Sequence, residues 1–528
     1  MGITPAPLNL WPLAWIALVP LWVLVVEEGT KRPPIAFLSN RETKSKPVNG
    51  WFFLLPVLWG IAYHGLALFW ITGIHPMTWL GVPWLASLAI ASFCWVFITL
   101  WGAGLVLIWA LGQGLFAAKF APLSSAFFSP FLRVLIGTTL WCSVEYLGSS
   151  TSLWWTSLAY TQSPTNLVIL HLGQLSGTTA VTAAIVAVNG LIAEAWIAWQ
   201  QHAHPPIQGR KTTTTSVQNL LIFLAIILFL VLHSLGFLLY RIPRIDPAET
   251  ALTVGIIQGN IPNDIKLNSE GWRRALAGYT SGYQELADRG VDAVLTPETA
   301  LPFLWTKDNR RYSEFYRAIL DKGVLAWVGT FGKEGNRITN SLFTVTATGE
   351  TYSSYDKVKL VPLGEFIPFE EILGRIINRL SPLEAQLKGG NPNQVFDTPF
   401  GRAIVGICYD SAFSALFRRQ AAAGGEFIIS ASNDAHYTAA MAIQHHAQDV
   451  MRAIETDRWA IRATNTGYSA IVDPQGRTRW ISELNTYQLH SATIYRRQTQ
   501  TLYVRWGEWL LGLLWAICAI AFILSRRQ

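Results

Sequence analysis

Long apolar runs dominate the two ends of this chain. A run of roughly 20 such residues has one economical fold, a helix across a bilayer, because only there is every backbone polar group satisfied within the segment. Seven runs reach about that length: Leu8–Val26, Trp51–Ile71, Trp84–Leu111, Phe131–Leu147, Leu172–Trp199, Leu220–Tyr240 and Trp506–Leu524. The third is long enough to tilt or protrude. These runs hold the excess in a chain of 528 residues with 51% hydrophobic residues and 24 Trp, whereas the centre has ordinary polarity. The expected organisation is a transmembrane helical domain of six spans over 1–245, a water-soluble domain over 250–498, and a C-terminal span with a short tail over 503–528.

Orientation follows from Lys and Arg in the short connecting loops, which stay in the cytoplasm. Lys31, Arg32, Arg41, Lys44 and Lys46 follow the first run, Lys119 follows the third, and Arg210 and Lys211 follow the fifth. The loops around His75–Thr78 and from Gly148 to Asn166 contain neither Lys nor Arg and are assigned outside. Arg526 and Arg527 put the C-terminus inside, so the central domain lies on the outer side. This scheme leaves the N-terminus outside, with no basic residue before Lys31 to form the n-region of a signal peptide. The first run is therefore read as a membrane helix, and an additional span is expected before it. The net charge of +7 is scattered rather than gathered into stripes, which argues against a nucleic-acid partner. Glu145, His64 and His171 fall within the spans and are assigned structural or interfacial roles.

From Leu252 the pattern changes to short β-branched runs alternating with amphipathic segments, the signature of a layered α/β domain. Strands are expected at Leu252–Pro262, Ala293–Glu298, Val324–Phe331, Asn340–Glu350, Arg402–Cys408 and Glu426–Asp434, with two more in Trp459–Arg477. Helices are expected at Gly271–Arg289, Arg310–Leu320, Ser411–Ala423 and Met441–Thr456. Tyr355–Phe369, rich in Pro and Gly, reads as an ordered loop.

Glu298, Lys357 and Cys408 stand at strand ends or in ordered loops, the rim on which layered α/β domains assemble a site. The other cysteines, Cys94, Cys142 and Cys518, lie in apolar runs, so Cys408 is the one thiol of the polar part. It is either a small buried hydrophobe or a nucleophile. A thiol needs a base to take its proton and a cation to hold the charge it creates, which a Glu and a Lys supply. Lys359 competes with Lys357 for that role. His436, His445 and His446 fit no closed zinc site, and neither a metal nor a cofactor is expected. Asn433 and Asn465 read as turn and core hydrogen-bonders.

PETALPF with Glu298, YDKVKL with Lys357 and GICYD with Cys408 resemble the Glu, Lys, Cys set of the nitrilase superfamily. VGIIQGNIP, LVPLGEFIPFE, SNDAHY and RATNTGYSAIVDPQG, flanked by membrane runs, resemble the apolipoprotein N-acyltransferase family within it, and the likeness covers almost the whole chain. The resemblance implies a polytopic α-helical membrane domain carrying an extramembrane nitrilase-like α/β/β/α sandwich. That family has eight spans and a periplasmic domain, which implies a bacterial inner-membrane location. It implies Glu298 as general base, Lys357 as oxyanion stabiliser and Cys408 as nucleophile, supported by Glu365, Tyr409 and Asp410. Asp410 replaces the family's Glu, one methylene longer, and His436 and Tyr437 replace an aromatic pair.

The implied reaction is ping-pong acyl transfer. A phospholipid acylates Cys408 to a thioester, and the α-amino group of the diacylglyceryl-cysteine of an apolipoprotein then takes the acyl chain. Pro362–Leu380, with Phe366, Ile367 and Phe369, is expected to cover the thioester as a lid. GSSTSLWWTSLAY, Gly148–Tyr160, suits an interfacial floor at headgroup depth. Two other readings stay open: a membrane-tethered amidase acting on small amides, and a catalytically inactive lipid-binding protein.

Overall fold

The computed structural model describes residues 1–31, 50–120, 129–203, 214–367 and 387–525. Phe369, Arg32, Arg41, Lys44, Lys46, Arg210, Lys211, Arg526 and Arg527 lie outside the described residues.

The apolar N-terminal part is a bundle of α1 (Val19–Lys31), α2 (Trp51–Ala67), α3 (Trp84–Phe120), α4 (Ser129–Ser149), α5 (Gly173–Ala203) and α6 (Thr214–Arg241). Trp11–Thr30, Trp84–Ala118, Gly173–His202 and Val217–Arg241 are long and apolar enough to cross a bilayer; Trp51–Ala67 and Trp509–Leu524 are apolar but shorter. α4 is 21 residues long and includes Arg133 and Glu145. The first expected span is interrupted, with a 3-10 turn at Trp11–Trp15 and α1 starting at Val19. Pro20 explains the break, since proline suits the first turn of a helix but disfavours helical backbone just before it. α5 likewise breaks at Ser176 and Gly177. At 37 residues α3 is roughly 55 Å long, well beyond the hydrocarbon thickness, so it tilts or projects.

Two carboxylates inside the bundle are held by buried donors, one of them by a cation. Arg133 donates from Nε and Nη2 to the two oxygens of Glu194, at 2.9 and 2.5 Å, and Trp22 Nε1 adds a bond of 3.0 Å. Glu145 accepts from Trp141 Nε1, Ser157 Oγ, Thr182 Oγ1 and the Leu158 amide, at 2.7 to 3.1 Å. That carboxylate therefore fastens the loop Gly148–Tyr160 to the helices, a structural role.

The polar part is two sheets face to face. The first contains β1 (Ala251–Gln258), β2 (Ala293–Leu295), β3 (Leu301–Leu304), β4 (Leu325–Glu334), β5 (Arg337–Val345) and β6 (Thr351–Asp356). The second contains β7 (Phe396–Thr398), β8 (Gly401–Ile407), β9 (Phe427–Ser432), β10 (Ala460–Thr464), β11 (Ala470–Val472) and β12 (Thr478–Ile481), while β13 (Gln488–Tyr495) returns to pair with β1. The orders are β13-β1-β2-β4-β5-β6, with β3 beside β4, and β12-β11-β10-β9-β8-β7. The central strands β1, β2 and β4, and β8, β9 and β10, run parallel.

Val254, Leu295 and Trp327 meet Val405, Ile429 and Ile461 between the sheets. α7 (Ser269–Asp288) and α8 (Glu314–Lys322) cover the outer face of the first sheet through Tyr283, Leu286, Phe315 and Ile319. α9 (Ser414–Ala422) and α10 (Ala439–Thr456) cover the second. The result is an α/β/β/α sandwich. Leu416, Phe417, Val450 and Ile454 of its last layer share one apolar cluster with Trp155, Leu158 and Leu172 of the membrane part. The sandwich thus sits directly on the bundle.

Several expected elements differ in extent. The run Ala293–Glu298 leaves the sheet after Leu295, since Pro297 has no N–H for the ladder. Tyr355 belongs to β6 rather than to a loop, and a 3-10 turn, Cys408–Ala412, precedes α9. Gly329 in β4 underlies the departing Glu298 segment: a Cβ there would lie 1.9 Å from the Pro297 carbonyl oxygen and 3.2 Å from Glu298 Cα. Gly329→Ala is expected to lower stability by about 1–3 kcal/mol in denaturant or thermal unfolding. Gly364→Ala, whose Cβ would meet nothing nearer than 3.6 Å, is expected to stay within about 0.5 kcal/mol.

Candidate active site

Parallel strands bring their C-terminal ends to one edge, and the chemistry collects there. Glu298 follows β2, in a bend where Thr299 takes φ +46°. Lys357 follows β6 and is fixed by its own N–H, which donates to the Asn340 carbonyl at 2.8 Å. Lys357 Nζ donates to Glu298 Oε1 at 2.8 Å and to Glu365 Oε1 at 2.9 Å. Asn340 Nδ2 joins the same two oxygens at 2.7 and 3.3 Å, and Glu365 Oε2 accepts from the Val361 amide at 2.8 Å. The Lys357 side chain is 1% exposed and that of Glu298 7%.

Burial opposes charge on both groups, yet the pair outweighs it. The Glu298 carboxyl is held below the usual carboxylate range by the Lys357 ammonium, the charge of Lys266 and the Asn340 amide, against the cost of burial. The Lys357 ammonium is likewise held well above the usual lysine range, since Glu298, Glu365 and Cys408 overcome burial. At neutral pH the site therefore contains a carboxylate able to take a proton beside a fixed cation.

Cys408 is the first residue beyond β8 and takes φ +50°, a left-handed turn that lifts its side chain off the strand. Burial, then Glu298, pushes its thiol well above the usual cysteine range, with Lys357 pulling the other way. Its carbonyl accepts from His445 Nε2 at 2.8 Å. Asp410 ties this turn to the Lys357 segment: Oδ1 accepts from the Lys359 amide at 2.8 Å, and Oδ2 from the amides of Ile407 and Val358 and from the Tyr355 hydroxyl at 3.1 to 3.4 Å. Burial nonetheless pushes the Asp410 carboxyl up to about 6. Shortening the arm by a methylene leaves it four donors. Lys359 lies over the Phe413 ring, 4.3 Å from its centroid, apart from the Glu298–Lys357 pair.

Cys408, Asp434 and His445 offer donor atoms within 4.8 Å of one another. The His445 and Asp434 atoms are already committed. His445 Nε2 faces the Cys408 carbonyl, and its Nδ1 meets Arg462 Nη2 at 2.8 Å and Asp434 Oδ1 at 3.1 Å. The Arg462 guanidinium, bonded to Asp434 at 3.2 Å and Asp449 at 2.6 Å, supplies positive charge where a metal ion would. His446 bonds to Thr478, and His436 lies on the other side, with Asn263.

All three strand-end residues line one cavity of about 980 Å³ that passes between the domain and the bundle. Much of its remaining wall is apolar, with Trp70, Ile71, Phe93, Phe97, Ile98 and Trp101 among the membrane residues. Glu365, Phe366, Tyr409, His436 and Tyr437 also line it, whereas Ile367 is buried without lining it. Tyr409 docks the domain: its hydroxyl meets the Ser152 and Trp154 carbonyls at 2.9 Å, and its ring stacks on Trp155. Gln444 completes the joint, accepting from Trp70 and Trp155 and donating to the Ala6 and Ala67 carbonyls. Asn465 bonds the Ile261 backbone on both sides and also Asn433, as read from the sequence.

Sequence reasoning missed Asn340, the Asp434–His445–Arg462 group and Lys266. Nothing marks Asn340 within its strand run. Lys266 left one signal: it follows β1, a parallel neighbour of β2, and so reaches the same edge.

Two measurements check this geometry. Because the Cys408 thiol is held protonated, alkylation of Cys408 by iodoacetamide is expected to keep rising with pH from about 7 past 9; a plateau by about pH 7 would reveal a resting thiolate. Asp410→Asn turns an NH2 toward hydrogen-bond donors, and a loss of about 1–3 kcal/mol is expected in thermal unfolding.

Residues 253–502 match the carbon-nitrogen hydrolase family, and residues 1–191 match the apolipoprotein N-acyltransferase N-terminal domain. The apolipoprotein N-acyltransferase of Nostoc sp. is 56% identical over 528 residues, covering 99% of this chain and 97% of that protein. The Synechocystis sp. protein of the same name is 49% identical, covering 99% and 98%, and that of Thermosynechococcus vestitus 40%, covering 98% and 92%.

Proposed function

Because the chain belongs to the apolipoprotein N-acyltransferase family, we propose that it moves an acyl chain from a membrane phospholipid, through a thioester on Cys408, to the α-amino group of the diacylglyceryl-cysteine of an apolipoprotein. The observation that carries the reading is the single cavity in which Glu298, Lys357 and Cys408 face apolar side chains of the membrane helices. A small soluble amide needs no such wall; an acyl chain does.

Glu298 takes the Cys408 proton as the sulfur attacks the donor ester carbonyl. Lys357 Nζ, already fixed by two carboxylates, stabilises the oxyanion. Collapse breaks the ester C–O bond, Glu298 returns its proton to the departing lysophospholipid oxygen, and the thioester remains. The acceptor amine then attacks the thioester carbonyl, Glu298 receives a proton from that nitrogen, and the thiol is restored as the amide forms. Glu365 and Asn340 act as positioning residues for Lys357, and Asp410 holds the Cys408 turn against the Lys357 segment. Phe366, on the cavity wall beside Glu365, shields the thioester from water, and residues 368–380 of the expected lid lie outside the described residues. We assign the domain to the periplasmic side of the bacterial inner membrane, an assignment supported by the Lys and Arg of the connecting loops.

Intact mass spectrometry of protein mixed with phospholipid but no acceptor is expected to show one hydroxylamine-labile acyl adduct on Cys408, absent in Cys408→Ser. Glu298→Gln should slow its formation by about 10²–10⁴-fold. An unmodified Cys408 under these conditions would overturn the reading.

A further inference from the structure

One corner of the cavity is unlike the rest. Lys266 is 5% exposed and lines the cavity wall. Its Nζ donates to the Glu298 main-chain carbonyl at 3.1 Å, and among the described residues no carboxylate lies within ion-pair distance of it. A buried lysine with a carbonyl as its hydrogen-bond partner keeps two N–H donors for something else. Burial lowers its ammonium to about 8, with Lys357 adding to the effect and Glu298 and Cys408 opposing it, so it is charged at neutral pH. Beside it His436 lines the same cavity. Asn263 Nδ2 donates to His436 Nδ1 at 2.7 Å, which puts the ring hydrogen on Nε2. Burial, helped by Lys266, lowers the ring to about 4, so it stays neutral and offers that one N–H. The corner therefore presents donors within a lining that is otherwise largely apolar.

The charge balance gives this arrangement a purpose. Glu298 and Glu365 are two carboxylates against the one ammonium of Lys357. Without Lys266 the cavity would carry a formal excess of one negative charge and repel an anionic donor in a medium that screens poorly. With it the lining is neutral. Resting on the acyl-transfer reading above, we propose that Lys266 and His436 form the subsite for the phosphodiester of the donor lipid, holding its headgroup while the acyl chain lies along the membrane-helix wall and the ester reaches Cys408.

The test compares two donors carrying the same acyl chains, a phosphatidyl lipid and uncharged diacylglycerol, in mixed micelles of the full-length protein, with acylation of Cys408 followed by intact mass. Lys266→Met is expected to lower the ratio of kcat/KM for the phosphatidyl lipid over diacylglycerol by about tenfold or more, mainly through KM, with most of it recovered in Lys266→Arg. His436→Gln should lower it less, about threefold. If the wild type takes acyl groups from the phosphatidyl lipid alone, the same shift is read in its KM. Equal losses on both donors would overturn the proposal, since Lys266 would then serve Glu298 or the fold. So would inhibition by millimolar inorganic phosphate that Lys266→Met abolishes while the donor ratio stays put, which would assign the corner to free phosphate. A wild type acylated by neither donor would remove the acyl-transfer reading itself, whereas normal acylation with an unmoved ratio and KM removes this subsite alone.

Discussion

One buried ammonium governs the arrangement of the domain edge. Lys357 stands almost out of contact with solvent between Glu298 and Glu365, and each of the three would be costly to bury alone. Their mutual contacts are affordable only if the backbone segments carrying them cannot drift. That requirement explains much of the local structure. Gly329 lets the Glu298 segment lie against β4, Asn340 ties both carboxylates with one amide, and Asp410 gathers amides from both sides of the site. Removing any of these would loosen the ion cluster without touching a charge in it.

The second constraint is the joint with the membrane helices. Gln444 spends both ends of its amide on four partners from the N-terminal segment, α2, the turn after it and the outer loop, and Tyr409 sits one residue from Cys408 with its hydroxyl in that same loop. Glu145 fixes the loop from below. The floor of the cavity is thus built by one domain and its chemistry by the other, and the hydrogen bonds that align them are buried, where each is stronger and each loss is more costly.

Much of this was legible in the sequence because it rests on periodicity and on strand ends. The central strands β1, β4, β8, β9 and β10 are buried on both faces and read as β-branched runs, so Cys408 at the end of β8 was visible. β7 and β12 were not: they are edge strands of three and four residues, too short and too polar to alternate. Site residues carried by a motif, such as Glu298, Lys357 and Glu365, could be named and do converge. Asn340 could not, because a bridging amide looks in sequence like a turn former, and Lys266, which looks like a solvated charge, was marked only by its place after β1. The break before α1 at Pro20 was passed over by an apolar run read as one span, and α4, with Arg133 and Glu145 inside it, satisfies both through contacts that no local pattern announces.

The raised Cys408 thiol bears on how long the protein lasts as well as on what it does. Peroxides and disulfides react with thiolate, and a sulfur that stays protonated and walled off reacts slowly with either. The same burial that raises the thiol keeps it chemically quiet at rest. Slow oxidation to sulfenic acid is therefore expected of a resting site of this kind, and of the other thiols Cys94 of α3 lines the same cavity, whereas Cys142 and Cys518 lie elsewhere in the helices.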